Sequence, residues 1–292
     1  MKVLVTGSAG FIGGHVCTAL LAEGWSVTGY DVRQAGLSEV HEVTGDLLDI
    51  EHLTKTLAGH DVVCHVGAIG DVYLAAERPG LAAEVNVVGT SNVAAAAKEL
   101  GTRVVYASTW EVYGEPHYEP VDEDHPLNPD HPYNITKLAG EQMLLAAHRL
   151  HGLSAVALRL GTAYGLGMRT NSVFEIFIRR AMKGEALTIQ GDGSQGRQFT
   201  HASDIARAFA LAAGSDVQGI ALNTVSSEMV TIKQLADEVV VRYPTEISFG
   251  EPRPGDVPPS YVSASRAEEL LGWRAEVAFA DGMAELFAAE RS

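Results

Sequence analysis

Short apolar runs and longer stretches with helical spacing take turns along this chain. Lys2–Val5 is an apolar run, and from about Phe11 apolar residues recur at the spacing of one helix face. Strand-like runs return at Trp25–Tyr30, Val40–Thr44, Val62–Val66, Val104–Ser108, Ser154–Leu160 and Ile220–Thr224. Val62–Val66 is almost continuously apolar, as a parallel strand buried on both faces must be. Helical stretches fall between these runs, including one long region over Pro79–Leu100 and another that opens at Tyr133. Strands alternating with helices at this interval predict an α/β fold with a doubly wound parallel sheet.

The pattern changes twice. Glu115–Pro132 carries five prolines among acids, which predicts an ordered loop and not a helix. Beyond Leu160 the elements shorten. Helices are expected over Ser172–Lys183 and Ser203–Ala213, the second with Ser203 or Asp204 near its cap. From Ser226 onward short elements and a proline-rich segment, Glu251–Pro259, predict a smaller C-terminal α/β region. The expected division gives residues 1–164 plus about 199–225 to a dinucleotide-binding domain, and about 165–198 plus 226–292 to the smaller region.

The first strand runs into Gly7, Gly10 and Gly13, at the point where a helix opens. Gly7 permits a tight turn, Gly10 a close approach of pyrophosphate to the backbone, and Gly13 close packing of helix on strand. Free N–H groups and the positive end of the helix dipole favour an anion there. With this context the G-x-x-G-x-x-G turn predicts dinucleotide binding on a Rossmann sheet. Asp31 ends the second strand, about 20 residues past the turn, where a carboxylate holds the adenosine ribose and repels a 2′-phosphate. That favours NAD over NADP, although neighbouring Arg33 could pair with such a phosphate.

The 292 residues include 37 acidic and 21 basic side chains, a net charge of −16. So acidic a chain is a poor partner for nucleic acid or an anionic membrane surface. No apolar run is long enough to span a bilayer, and Met1 leads straight into the glycine turn, so the expected location is cytoplasmic. Cys17 and Cys64 fall in apolar elements and read as buried thiols. His117, His125 and His131 lie on the proline-broken loop without the regular spacing of a metal site, and no metal is expected.

Chemistry gathers around Tyr133 and Lys137, a Y-x-x-x-K pair one helical turn apart, and around Ser108 and Thr109 at a strand end. A tyrosine titrates near pH ~10, so it serves as a base at neutral pH only when its phenolate is favoured, as an ammonium and a cationic nicotinamide would favour it. Thr109 would hydrogen-bond the reacting oxygen.

As a set, these motifs resemble the extended short-chain dehydrogenase/reductase family, in its sugar-nucleotide epimerase/dehydratase branch of UDP-glucose 4-epimerase type. The likeness runs through T-G-S-A-G-F-I-G at Thr6–Gly13, G-D-L at Gly45–Leu47, H-V-G-A at His65–Ala68 and V-N-V-V-G-T at Val85–Thr90. It continues in S-T-W-E-V-Y-G at Ser108–Gly114, Y-N-I-T-K at Tyr133–Lys137, G-D-G-S-Q-G-R-Q-F at Gly191–Phe199, R-P-G-D at Arg253–Asp256 and L-G-W at Leu271–Trp273.

The resemblance implies Thr109, Tyr133 and Lys137 as catalytic residues, with Glu111 as a further acid. It implies NAD held by Gly7, Gly10, Phe11, Ile12, Gly13, Asp31, Asp46, Leu47, Val66, Gly67, Ala68, Asn86, Ser108, Tyr133 and Lys137. It implies a nucleotide-diphosphate sugar held by Thr109, Tyr133, Thr162, Arg197 and Arg253, with the smaller C-terminal α/β region as the substrate-binding region. It also implies a homodimer built on the helices near Glu84–Leu100 and Tyr133–Leu150. Thr162 stands where the family usually has the asparagine that meets the diphosphate, and Gln198 where it usually has an acid.

The expected reaction is 4-epimerisation through a keto sugar, with Tyr133 as base. Trp110 replaces the aspartate that dTDP-glucose dehydratases carry after the threonine, which counts against that class. Glu111 keeps 4,6-dehydration and UDP-glucuronate decarboxylation open. An NADPH-dependent carbonyl reductase or a non-catalytic NAD-binding protein are the readings from outside the branch.

Overall fold

The computed structural model describes residues 1–252 and 260–289. In chain order the first half contains β1 (Lys2–Thr6), α1 (Phe11–Ala22), β2 (Ser26–Asp31), β3 (His41–Thr44), α2 (Ile50–Leu57), β4 (Val62–His65), α3 (Val72–Glu77), α4 (Pro79–Ala83), α5 (Gly89–Leu100), β5 (Arg103–Thr109) and α6 (Pro132–His151). The second contains β6 (Ala155–Leu160), β7 (Thr162–Tyr164), α7 (Val173–Met182), β8 (Leu187–Gln190), β9 (Gly196–Arg197), β10 (Phe199–His201) and α8 (Ala202–Gly214). It closes with β11 (Ala221–Thr224), β12 (Val230–Thr231), α9 (Ile232–Arg242), β13 (Ile247–Gly250), α10 (Ser265–Leu271) and α11 (Phe279–Ala289).

Seven of these strands form one parallel sheet in the order β11-β6-β5-β4-β1-β2-β3. The order reverses between β1 and β4, so a crevice opens at their carboxyl ends, where such sheets receive ligands. The alternation of a strand places successive side chains on opposite faces. Val3 and Val5 accordingly join one core with Cys17, Leu20, Phe209 and Trp273, while Leu4 joins another with Leu53, Leu57, Val63 and Leu144. Both faces are dry, which is why β1 and β4 have no polar alternation to read. Cys17 and Cys64 are free, buried thiols.

A third core, with Tyr164, Phe174, Phe177, Phe199, Leu235 and Phe279, underlies the smaller region. Outside the seven-stranded sheet the described strands pair two by two, β7 with β10, β9 with β12 and β8 with β13.

One local expectation is corrected and another is made specific. The helical run Pro79–Leu100 is broken by a π turn over Glu84–Val88, which faces Asn86 inward. The cap of α8 is His201, whose side chain accepts from the Ser203 backbone N–H. Asp204 is occupied elsewhere: its buried carboxylate accepts from the backbone N–H groups of Glu276 at 3.0 Å and Val277 at 2.9 Å, tying α8 to the segment before α11. Among the described residues no helix is long and apolar enough to cross a membrane.

Candidate active site

A single cleft of about 770 Å³ follows the carboxyl edge of the sheet from the glycine turn to Tyr133 and Lys137. Gly7 has φ +71°, and a Cβ there would lie 2.6 Å from Gly67 Cα. A Cβ on Gly13 would lie 2.0 Å from the Gly7 carbonyl oxygen. Both positions therefore exclude a side chain: Gly7 lets β1 and β4 approach each other, and Gly13 packs α1 onto the turn itself. Gly10 precedes α1 and no side chain caps the helix, so its first N–H groups face the cleft beside Phe11, Ile12 and Gly13. This uncapped, side-chain-free cradle fits a pyrophosphate.

Asp31 closes β2 at the far end. Its carboxylate accepts from the backbone N–H of Ala9 at 3.1 Å and of Arg33 at 3.2 Å. The Arg33 guanidinium donates to the Ala9 carbonyl at 2.9 Å, which turns it back onto the glycine turn. Asp46, Leu47, Val66, Gly67 and Ala68 also line the cleft. Asn86 does not. It is 1% exposed, and its amide accepts from Ile69 N–H at 2.7 Å and donates to the Ile69 carbonyl at 3.2 Å and Thr136 Oγ1 at 3.0 Å. Its place is behind the cleft, clamping the loop after β4 to the start of α6.

Thr109 ends β5 and accepts from the Glu111 backbone N–H at 3.3 Å, starting a 3₁₀ turn over Trp110–Tyr113. Pro132 opens α6 and His131 caps it by accepting from Tyr133 N–H at 3.2 Å, which fixes the turn that carries Tyr133. Lys137 is 3% exposed, with Nζ 4.3 Å above the Tyr106 ring. Ser108, Thr109, Glu111, Tyr133, Lys137 and Thr162 all line the same cleft.

The electrostatics run against a free base. Burial pushes the Tyr133 phenol up, and the Glu111 charge adds to this. Burial pushes Lys137 down to about 7, opposed by Glu141. The Glu111 carboxyl is raised by burial, with Arg197 opposing and Asp130 assisting. In the protein alone, then, desolvation keeps the Tyr133 phenol up, against the expectation that a neighbouring ammonium brings it down.

Arg197 lies off the main cleft, in a small recess with Trp110, Gln198 and Ser260. Arg253 falls outside the described residues. Gln198 is buried and ties its strand to the segments at Ser226 and Val262, donating to the Ser226 and Val262 carbonyls and accepting from Val262 N–H. His125 accepts from the His117 backbone N–H at 2.9 Å.

Sequence reasoning missed Arg169 and Asp71, which line the cleft and pair at 3.0 Å. No spacing links residues on loops so far apart in the chain. It also missed Glu141, although its position four residues after Lys137 was a usable signal.

A family model described as the NAD-dependent epimerase/dehydratase family matches residues 3–224. The chain belongs to this family. It is similar to a UDP-glucose 4-epimerase of Mycolicibacterium smegmatis, at 35% identity over 98% of this chain and 97% of that protein. It is also similar to a dTDP-glucose 4,6-dehydratase of an Actinoplanes species, at 32% identity over 99% of this chain and 97% of the relative. Among solved structures, MoeE5 in complex with UDP-glucose and NAD aligns with TM-score 0.91 and 34% identity, covering 100% of this chain and 99% of that one. Members of this epimerase/dehydratase family depend on NAD, and the cleft is shaped to hold it.

Proposed function

We propose that the chain is a sugar-nucleotide 4-epimerase. The observation that carries this reading is the continuity of the cleft: the phosphate cradle at Gly7–Gly13 opens without interruption onto Thr109, Tyr133 and Lys137. Bound NAD supplies a hydride acceptor that can return the hydride. Tyr133 takes the proton of the sugar 4-hydroxyl and gives it back, while Thr109 holds the same oxygen in line. The Lys137 ammonium, one turn beyond, stabilises the phenolate that burial disfavours. Epimerisation asks nothing further of the protein, and Trp110, next to Thr109 in the cleft, has no acidic proton to give.

Asp31 would hold the adenosine ribose, Asp46 and Leu47 the adenine, and Lys137 the nicotinamide ribose. Thr162, Arg197 and Arg253 would serve the diphosphate of the substrate, with residues of about 165–198 and 226–292 forming its lobe. Two copies would pair through the helical run Glu84–Leu100 and α6, which leave Val88, Ile135 and Met143 exposed. Two free thiols suit a reducing cytoplasm.

One observation favours a second reading. Burial raises the Glu111 carboxyl, and that residue shares the cleft with Tyr133, as a proton donor for dehydration would. The test is incubation of a sugar-nucleotide panel with the protein and catalytic NAD, followed by mass and proton NMR. An isomer at unchanged mass supports epimerisation; loss of water or carbon dioxide overturns it in favour of Glu111 chemistry.

A further inference from the structure

Arg159 lies in β6, in register with Ser108 of β5, and is followed by Leu160, which lines the cleft. Its side chain is buried, and each nitrogen of the guanidinium has a partner. Nε donates to Glu141 Oε2 at 3.1 Å and Nη2 to Glu141 Oε1 at 2.6 Å, a bidentate pair with a carboxylate on α6. Nη1 donates to the Tyr113 hydroxyl at 2.7 Å, and the guanidinium carbon lies 4.9 Å from the centre of that ring. Glu141 Oε2 also accepts from Ser108 Oγ at 2.6 Å. The Tyr113 hydroxyl donates onward to Asn223 Oδ1 at 2.7 Å, and the Asn223 amide nitrogen donates to the Ser263 carbonyl at 2.9 Å, which turns its oxygen to the tyrosine.

The reaction above uses none of these side chains, yet each stands on an element that carries a group it does use. Glu141 is on α6, the helix that opens with Tyr133 and Lys137. Tyr113 ends the 3₁₀ turn that starts from Thr109, and Ser108 precedes Thr109 in β5. Chain connectivity leaves the spacing of these pieces open, because β5 and the 3₁₀ turn reach α6 through the proline-rich loop. Tyr106 of β5 also meets α6, donating to the Lys137 carbonyl at 3.1 Å, but that bond does not involve the 3₁₀ turn. Arg159 holds the turn and the helix with one rigid, planar group. A buried ion pair is a weak source of stability, and its best-attested use is to specify one arrangement of the elements it joins.

We propose that Arg159 is a positioning residue, whose guanidinium sets the separation of Thr109 and Tyr133 by bridging Tyr113 on the turn and Glu141 on the helix. The proposal rests on the reading that Thr109 and Tyr133 act on one substrate oxygen.

The test compares crystal structures of the full-length protein with NAD, wild type against Tyr113→Phe and Arg159→Lys, with kcat and KM measured on the same preparations. Tyr113→Phe removes one oxygen and cuts Arg159 from the 3₁₀ turn. Arg159→Lys keeps a charge beside Glu141 and loses the fork, so a role as a mere counter-charge would survive it. Both variants are expected to change the separation of Thr109 Oγ1 and Tyr133 Oη by about 0.5 Å or more. Both are expected to lower kcat by roughly 10- to 100-fold, with KM held within about threefold. Should Arg159→Lys fail to fold, Tyr113→Phe decides alone. An unmoved separation in the folded variant, or a moved separation with kcat intact, overturns the proposal and leaves Arg159 a core ion pair. The separation is read without turnover, so a wild-type protein that converts no sugar nucleotide while the variants shift refutes the reaction and not the role of Arg159.

Discussion

Asp71 and Arg169 meet at 3.0 Å across the cleft, one from the loop after β4 and the other from the loop after β7. Asp71 also caps α3 by accepting from the backbone N–H groups of Tyr73 and Leu74, so its carboxylate is held in place for the arginine. Arg169 is half-exposed, and a solvated pair of this kind adds only ~0–1 kcal/mol to stability. Its position over the cleft points to retention of ligand. Arg169→Ala is expected to weaken sugar-nucleotide binding by roughly tenfold, the worth of one charge-assisted contact, with little change in Tm. Calorimetric titration alongside thermal melting checks both; a large fall in Tm with unchanged binding would contradict it.

Gly13→Ala meets the Gly7 carbonyl at 2.0 Å, a contact with rigid backbone. The turn has to open, at a cost of about 1–3 kcal/mol, and NAD affinity should fall further than stability does. Denaturant unfolding and NAD titration on the same preparation separate the two effects.

Glu111 decides between the two reactions. If the chain epimerises, Glu111→Gln should hold kcat within about threefold, whereas Tyr133→Phe should lose about 10²–10⁴ as a missing general base does. Removing the Glu111 charge also relieves one of the two causes that raise the phenol, so the acid limb of kcat should move to lower pH. Collapse of turnover in Glu111→Gln would place that carboxyl in the chemistry.

The buried lysine leaves a mark on stability. Its titration lies near 7 in the folded protein and near 10.5 when unfolded, so between these values the unfolded chain binds more protons and stability rises with pH. The cost of burying the charge is complete below pH ~7 and is relieved on the way to pH ~10.5. In the NAD-free protein Lys137→Met should therefore exceed wild type in Tm by most at pH 6, with the gap closing toward pH 10. Melting both proteins over that range measures it. A gap that widens with pH would mean that the ammonium is stabilised in the fold.

Much of this was legible in the chain because it rests on local necessity. Dry faces on both sides of β1 and β4 demand continuous apolar runs, and turns that exclude a Cβ demand Gly7 and Gly13. What was hidden rests on tertiary competition. No periodicity announces the π turn that aims Asn86 at Ile69 and Thr136. Asp204 has the chemistry of a cap, but two distant backbone N–H groups take its carboxylate and leave capping to His201. Asp71 and Arg169 come from loops whose meeting no periodicity encodes.

The most direct measurement is proton NMR of UDP-glucose, UDP-N-acetylglucosamine, UDP-glucuronate, dTDP-glucose and GDP-mannose, each incubated with the protein and substoichiometric NAD. The account predicts that at least one gives its 4-epimer at unchanged mass, with no net consumption of NAD and none formed by Tyr133→Phe. Release of water or carbon dioxide, or stoichiometric reduction of NAD, would contradict it.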